Sequence, residues 1–495
     1  MRPDPNGSQP TVLERTTMRR ILASLATVAA VTLAGCKLDL TNPNNPTLGG
    51  ALSNPRAATS RMIVGVLSTY RVNRTDQIRA FGSFGRETYY MFITDGRFIT
   101  GPLKDWRQNN SFDAGTQWAG RYGNYRNAYA ATAIVNATTA LTDAEKHGAL
   151  GVLKTIIALD MLHVIEARGT IGAVVDMTDD VNAVLPVVSQ DSVYSWISAK
   201  LDEAQTDLAA AGTTFYFPIY SGFGVGVAST PAGFTQFNRA IKARVAAKRG
   251  SLGCATCYAA ALTALGGTWV STTAAFDSTN RDNGTYTIYS TAAGDAPNTV
   301  AFTGSVGSDE YVHPGIDSIA GVATDDRYRR KISTGCPASN PRSEVGVSSS
   351  HRPCTYGSTI TSIPIIRNEE LVLLRAEAEW FTGNQAGAIA DLAAVRAQSG
   401  ATKGGTAAVA FAAPANNADF VTELLLQRTL SLYQEGHRWP DYRRFNRLAA
   451  LGTLPQDVTA GFTVAVASVL PNQECDARAR VGAAAPLSCP GNALP

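Results

Sequence analysis

The chain has only five histidines in 495 residues. No His-Glu-x-x-His segment occurs, and no two histidines stand at ligand spacing on a predicted helix, which excludes the usual zinc hydrolase sites. There is no Gly-x-Ser-x-Gly elbow and no phosphate-binding P-loop, so neither an acyl-transfer nucleophile nor a nucleotide cradle is offered. An excess of one charge is missing too: Lys plus Arg is 43 against 40 Asp plus Glu, a formal net charge of +3, which gives no argument for nucleic acid or an acidic partner. Carboxylate pairs such as Asp179-Asp180, Asp325-Asp326 and Glu369-Glu370 are present. Glycoside hydrolysis needs two carboxyls about 5 to 9.5 Å apart across a cleft, and adjacency in sequence does not supply that. No catalytic residue, metal site or cofactor is therefore expected, and the chain does not read as an enzyme.

Apolar runs of spanning length are also missing. Ile21 to Ala34, 14 residues after Met18-Arg19-Arg20, falls short of the roughly 20 a membrane-crossing helix takes. A basic start, a short apolar core and small residues before a cut are the layout of an exported chain. Here Leu33-Ala34-Gly35 precedes Cys36, the arrangement of a bacterial lipoprotein signal peptide whose cysteine thiol accepts acyl chains such as palmitate. Met1 to Thr17 reads as an upstream extension and Met18 as the more natural start. Lipidation changes the expectation from spanning to anchored, each buried methylene contributing about 0.8 kcal/mol. Residues 1–35 are thus signal and extension, 36–48 a polar, turn-rich tether containing Asn42-Pro43-Asn44-Asn45-Pro46, and 49–495 the folded body.

Seven cysteines leave six after Cys36. They fall into close pairs, Cys254 with Cys257, Cys336 with Cys354 and Cys475 with Cys489, and an exported chain is expected to oxidise them. Connectivity is not readable from sequence alone; pairing between neighbours is the local expectation. Closing the Cys336–Cys354 loop stabilises by about 3 kcal/mol in the chain-entropy picture. Cys254-Ala-Thr-Cys257 also has a redox reading, but no second Cys-x-x-Cys accompanies it to form a zinc site.

Helical periodicity dominates both halves. Met62, Val66 and Leu67 recur at helical spacing after Pro55, and Phe81 to Phe92 continues with aromatics. Trp118 to Leu141 follows, then Leu150 to Ile165 behind a capping-box start at Thr142-Asp143-Ala144-Glu145, then Asp191 to Leu208 and Phe234 to Lys248. The segment 271–363 breaks the pattern and reads as an inserted lobe of loops, short strands and turns. Helices return at Asn368, with Leu371, Leu374, Ala378 and Phe381 on one face, turn at Gly383-Asn384, continue through Ile389 and Leu392, and resume after Asp419. The expected fold is mainly α, a tetratricopeptide-like stack of helical hairpins with one irregular lobe, although no strict repeat of about 34 residues survives.

Two segments resemble a known family. Ile363-Pro364-Ile365-Ile366-Arg367-Asn368-Glu369-Glu370-Leu371, running into Arg375-Ala376-Glu377-Ala378-Glu379, is similar to the signature of SusD/RagB nutrient-binding lipoproteins. Leu425-Leu426-Gln427-Arg428, followed by Glu435-Gly436-His437-Arg438-Trp439-Pro440-Asp441-Tyr442-Arg443-Arg444, resembles that family's C-terminal block, in which a Glu-Gly-His-Arg-Trp turn joins two helices. Weaker matches run over nearly the whole mature chain. Thr429-Leu430-Ser431-Leu432-Tyr433 departs from the more acidic run usual before Glu435, and Thr170 to Val174 lacks the usual Gly-x-x-Pro turn.

The resemblance implies a surface-exposed outer-membrane lipoprotein that captures a nutrient, an oligosaccharide or a peptide, and delivers it to a TonB-dependent, SusC-like transporter. The alternative is an outer-membrane interaction scaffold without a small ligand. Arg367, Glu369, Glu370, Arg375, Glu377, Glu435, Gly436, His437, Arg438, Trp439, Asp441 and Arg443 are then architectural. Sugar binding needs rings for C–H faces and polar partners for hydroxyls. Loop aromatics that qualify are Tyr89, Tyr90, Trp106, Phe215, Tyr286 and Tyr311, with Tyr216, Tyr220 and Trp269 expected to take part in capture.

Overall fold

The computed structural model describes residues 53–91, 117–220, 223, 228–272, 278–302, 310–332, 336, 340–399 and 412–489. Cys36, the tether, Trp106 and Gly400 lie outside them. The chain divides into Met1–Ala58 and Thr59–Pro495. The second unit holds the scaffold and the lobe, apart from the first turn of the first helix.

The first half is helical: α1 (Pro55–Phe84), α2 (Ala119–Ala137), α3 (Asp143–Arg168), α4 (Gln190–Ala209), α5 (Pro231–Ser251) and α6 (Cys257–Leu265). From α3 onward each of these helices packs on the one before it. The starts are fixed locally. Thr142 Oγ1 accepts from the Glu145 amide at 3.3 Å while Glu145 Oε2 accepts from the Thr142 amide at 3.0 Å, closing the capping box that opens α3. Ser189 and Thr230 cap α4 and α5 through the amides three residues on, each such cap being worth about 1 kcal/mol. Almost every residue of α3 from Gly148 to Arg168 is buried, so this helix forms the centre of the scaffold. Asp143–Ile171 is long and apolar enough to cross a membrane by composition, contrary to the expectation that no other segment approaches this, yet 89% of its apolar window is inside the protein. Burial by neighbouring helices, not lipid, explains its composition.

The lobe is built of two-stranded ribbons. β1 (Thr88–Tyr90) pairs antiparallel with β3 (Glu310–Val312), β2 (Gly284–Thr287) with β6 (Ile363–Arg367), and β4 (Arg342–Glu344) with β5 (Val347–Ser349). A short helix, α7 (Asp326–Lys331), lies between β3 and β4. Such ribbons are marginal alone, and small apolar clusters hold them: Tyr89, Met91, Tyr311, Val347 and Phe462 in one, Ile78, Tyr289, Val300, Tyr356 and Ile363 in another. The aromatic run after Phe81 does not continue as helix. α1 stops at Phe84, Arg86 takes φ +53°, and Thr88-Tyr89-Tyr90 becomes the strand that ties α1 to the lobe.

The second helical half comprises α8 (Asn368–Phe381), α9 (Gln385–Ser399), α10 (Asn417–Ser431), α11 (Arg438–Arg444), α12 (Pro455–Ala460) and α13 (Asn472–Arg480). α10 starts ahead of the expected Asp419 because the Asn416 side chain caps the Asp419 amide. α8 is apolar on two faces: Leu371, Leu374 and Ala378 join the main core, while Val372, Leu373 and Trp380 pack with Leu392, Phe420 and Leu424. It therefore welds the two halves together. Disulfides join Cys254–Cys257, Cys336–Cys354 and Cys475–Cys489, with Cα separations of 5.4, 5.5 and 5.5 Å.

Candidate functional site

The two motif segments meet. β6 delivers Arg367 to the start of α8, and the turn between α10 and α11 brings Glu435 against it at 2.9 Å; Arg367 also reaches Glu369, Asp282 and the Ser431 carbonyl. Ser431 Oγ donates to Glu369 at 2.7 Å. One step along α8, Glu370 takes both nitrogens of Arg244 from α5, at 2.7 and 2.5 Å, with His437 Nε2 at 3.7 Å. Further along the helix, Glu377 binds Arg444, which shares Asp441 with Arg428. Trp439 is wholly buried against Phe81 and Phe84, donating to the Ala465 carbonyl at 2.7 Å. Arg375 and Arg443 stand apart from these clusters: Arg375 pairs with Asp391 of α9 at 2.7 Å, and Arg443 reaches the Val466 and Glu166 carbonyls at the end of α3.

This is matched charge in a dry interior. Burial drives the Asp441 carboxyl upward, but Arg428 and Arg444 overcome that and hold it at about 2. Glu166, against Lys248 at 2.8 Å, is likewise held below its ordinary value despite burial. Burial, with Arg244 and Arg428 nearby, pushes His437 well below its usual range, so it is neutral at neutral pH. Glu369, Glu370, Glu377, Glu435 and Asp441 are each buried and held by a base. In the departure Thr429-Leu430-Ser431-Leu432-Tyr433, Leu430 and Tyr433 pack with Val312, Ile316 and Tyr328 of the lobe, an apolar contact that acidic side chains would not make.

Among the described residues, two clefts of ligand size stand out. The larger, about 630 Å³, lies on the scaffold between α2, residues 174–185 and α13. Three of its polar side chains reach backbone: Tyr122 Oη donates to the Val174 carbonyl at 2.8 Å, Arg126 binds the Thr178 carbonyl, and Arg478 donates to the Leu185 carbonyl at 2.9 Å. It is a clasp for an extended segment. The second, about 450 Å³, lies where the lobe meets the scaffold, with Arg86, His313 and Arg438 inside and Ser318, Thr453 and Pro455 at the rim. Its floor is ordered by Asp457, which accepts from His313 Nε2 at 2.8 Å, from Tyr89, and faces Arg86 Nε at 3.2 Å. Burial leads in lowering His313, to about 4.

The loop aromatics are mostly engaged internally. Tyr216 Oη donates to Thr59 at 2.9 Å, Tyr220 Oη to the Leu67 carbonyl at 2.9 Å, and Trp269 Nε1 to the Asn283 carbonyl at 3.0 Å; all three rings are half-buried against the main core. Tyr216 and Tyr220 face α1, whereas Trp269 faces the segment before β2. Tyr89, Tyr90 and Tyr311 are buried, and Phe215 and Tyr286 half-buried. Arg86, His313 and Asp457, which shape the lobe-side cleft, escaped notice in the sequence. They come from three distant segments, and no spacing rule links them.

A helical scaffold with an ion-paired interior carries the lobe and its cleft. Residues 266–474 match the model of the SusD family. A SusD superfamily protein from Bacteroides vulgatus is 13% identical with a TM-score of 0.61, the match covering 85% of this chain and 97% of the other; a SusD homolog from Bacteroides thetaiotaomicron is 14% identical at 0.60, covering 86% and 96%. A laminarin-binding SusD-like protein is 15% identical at 0.54, covering 84% and 97%. No curated protein matches the sequence. Residues 266–474 are thus similar to the SusD family, and the fold is that of SusD superfamily structures.

Proposed function

We propose that the protein is a lipoprotein of the outer membrane, facing outside, that captures an oligosaccharide and hands it to a TonB-dependent, SusC-like transporter. In this reading Cys36 carries the acyl chains, residues 36–48 form the tether, and 49–495 form one SusD-like domain. The observation that carries it is the agreement of family and fold with proteins that include a laminarin-binding relative. The lobe-side cleft is the place for cargo, because it alone of the two clefts holds a buried arginine, Arg438, with no carboxylate in ion-pair contact among the described residues; the buried arginine of the scaffold clasp, Arg478, is paired with Glu474. Its volume lies within the roughly 300–1,000 Å³ of ordinary ligand sites. Three disulfides accord with an oxidising address.

Mild detergent extraction of the native membrane, followed by pull-down of the full chain, is expected to bring a large barrel protein with it. Cys36→Ala is expected to abolish labelling by a palmitate analogue and release the chain to the soluble fraction. A wild-type chain found soluble and unlabelled, with no barrel partner, overturns the proposal.

A further inference from the structure

We infer that the lobe-side cleft receives an oxyanion, the carboxylate or sulfate of an acidic oligosaccharide, with Arg438 as its counter-charge. This rests on the capture reading and adds the ligand's charge.

Arg438, which the family resemblance alone makes architectural, lies on the first turn of α11 and is nine-tenths buried. Of its nitrogens, Nη1 donates to the Arg86 carbonyl, Nε has no hydrogen-bond partner, and no bond is made by Nη2 among the described residues. Its guanidinium also rests over the Tyr442 ring, 5.2 Å from the centroid. A buried guanidinium with free donors is costly unless an acceptor arrives. No acid lines the cleft among the described residues. Asp457 is already engaged by Arg86, His313 and Tyr89. Another buried carboxyl, Glu87, is pushed up to about 8 by burial, against the opposing pull of Arg438 and the Gln434 backbone. Raised in this way, it is a weak counter-charge for Arg438. His313 is neutral at neutral pH and adds no competing charge. A neutral sugar satisfies donors but not the charge; a planar carboxylate or a sulfate does both, and a guanidinium fork suits either.

The full chain in detergent is titrated calorimetrically with a short oligogalacturonate, a sulfated galactan oligosaccharide of equal length, a neutral galacto-oligosaccharide and inorganic sulfate. One of the two acidic glycans is expected to bind at least about tenfold more tightly than the neutral one, the scale of one charge-assisted hydrogen bond, and more tightly than sulfate alone. Thr453→Glu, an exposed rim change that leaves the buried network intact, is expected to remove about that factor, while Asn182→Glu in the scaffold clasp leaves it unchanged. Arg438→Gln is expected to act like Thr453→Glu, its circular dichroism reporting folding separately. Equal binding of acidic and neutral glycans, or no response to Thr453→Glu, overturns the inference while leaving glycan capture standing. Inorganic sulfate binding as tightly as either glycan overturns the glycan assignment. Silence toward all glycans counts against the capture reading itself.

Discussion

Asp441→Asn tests how much the buried charge network contributes. Asp441 is 1% exposed and accepts from Arg428 Nε at 2.6 Å and Arg444 Nε at 2.9 Å. The amide keeps the shape but removes the charge, leaving Arg428 with no carboxylate partner. Breaking one partner of a buried pair costs about 3–5 kcal/mol, a large part of a typical stability of about 5–15 kcal/mol. Arg444 retains Glu377, which places the expected loss toward the lower end. A second measurement isolates the charge. The folded carboxyl sits at about 2 against an ordinary 3.8, so its contribution is complete above the ordinary value and is lost as pH falls through about 2. At about 1.4 kcal/mol per pH unit of displacement, the gap between wild type and variant narrows by about 2 kcal/mol across that window. Urea denaturation at a series of pH values reads both quantities. A variant within about 1 kcal/mol of wild type near neutrality, or a gap that does not narrow in acid, refutes the account.

Other outcomes follow from single positions. Val345 holds φ +49° at the tip of the β4–β5 hairpin, followed by Gly346 at +85°, a primed turn in which asparagine belongs; Val345→Asn is expected to raise stability by about 1 kcal/mol, seen as a higher melting temperature, and a fall contradicts it. At Gly436 a Cβ would meet nothing nearer than 3.7 Å, whereas at Gly172 it would fall 2.0 Å from the Val188 carbonyl oxygen. Gly436→Ala should therefore cost about 1 kcal/mol of backbone strain and Gly172→Ala considerably more; equal costs in chemical denaturation refute the distinction. Replacing Cys336 and Cys354 by serine is expected to lower stability by about 3 kcal/mol, because the bridge closes an 18-residue separation; an unchanged denaturation midpoint refutes it.

Elements whose signals are local were legible in advance. Thr142 with Glu145, one turn apart, suffices for a capping box, and the α3 start was readable from those two residues. The turn at Gly383-Asn384 between α8 and α9 was readable in the same way. The course of Thr88-Tyr89-Tyr90 was not. Its partner strand begins at Glu310, and an aromatic run reads equally as helix or strand until the pairing is known. The polar tips of Tyr216, Tyr220 and Trp269 were equally unreadable, because their acceptors, Thr59, Leu67 and Asn283, lie on other segments.

By itself the sequence determined the helix-rich class and the resemblance that the family match supports, both of which rest on periodicity and on contiguous motifs. Only the tertiary structure decided which charges face one another. Arg244 and Glu370 stand 126 residues apart and Arg86 and Asp457 far further. Electrostatic partnership depends on distance through space and on exclusion of water, and neither is written along the chain.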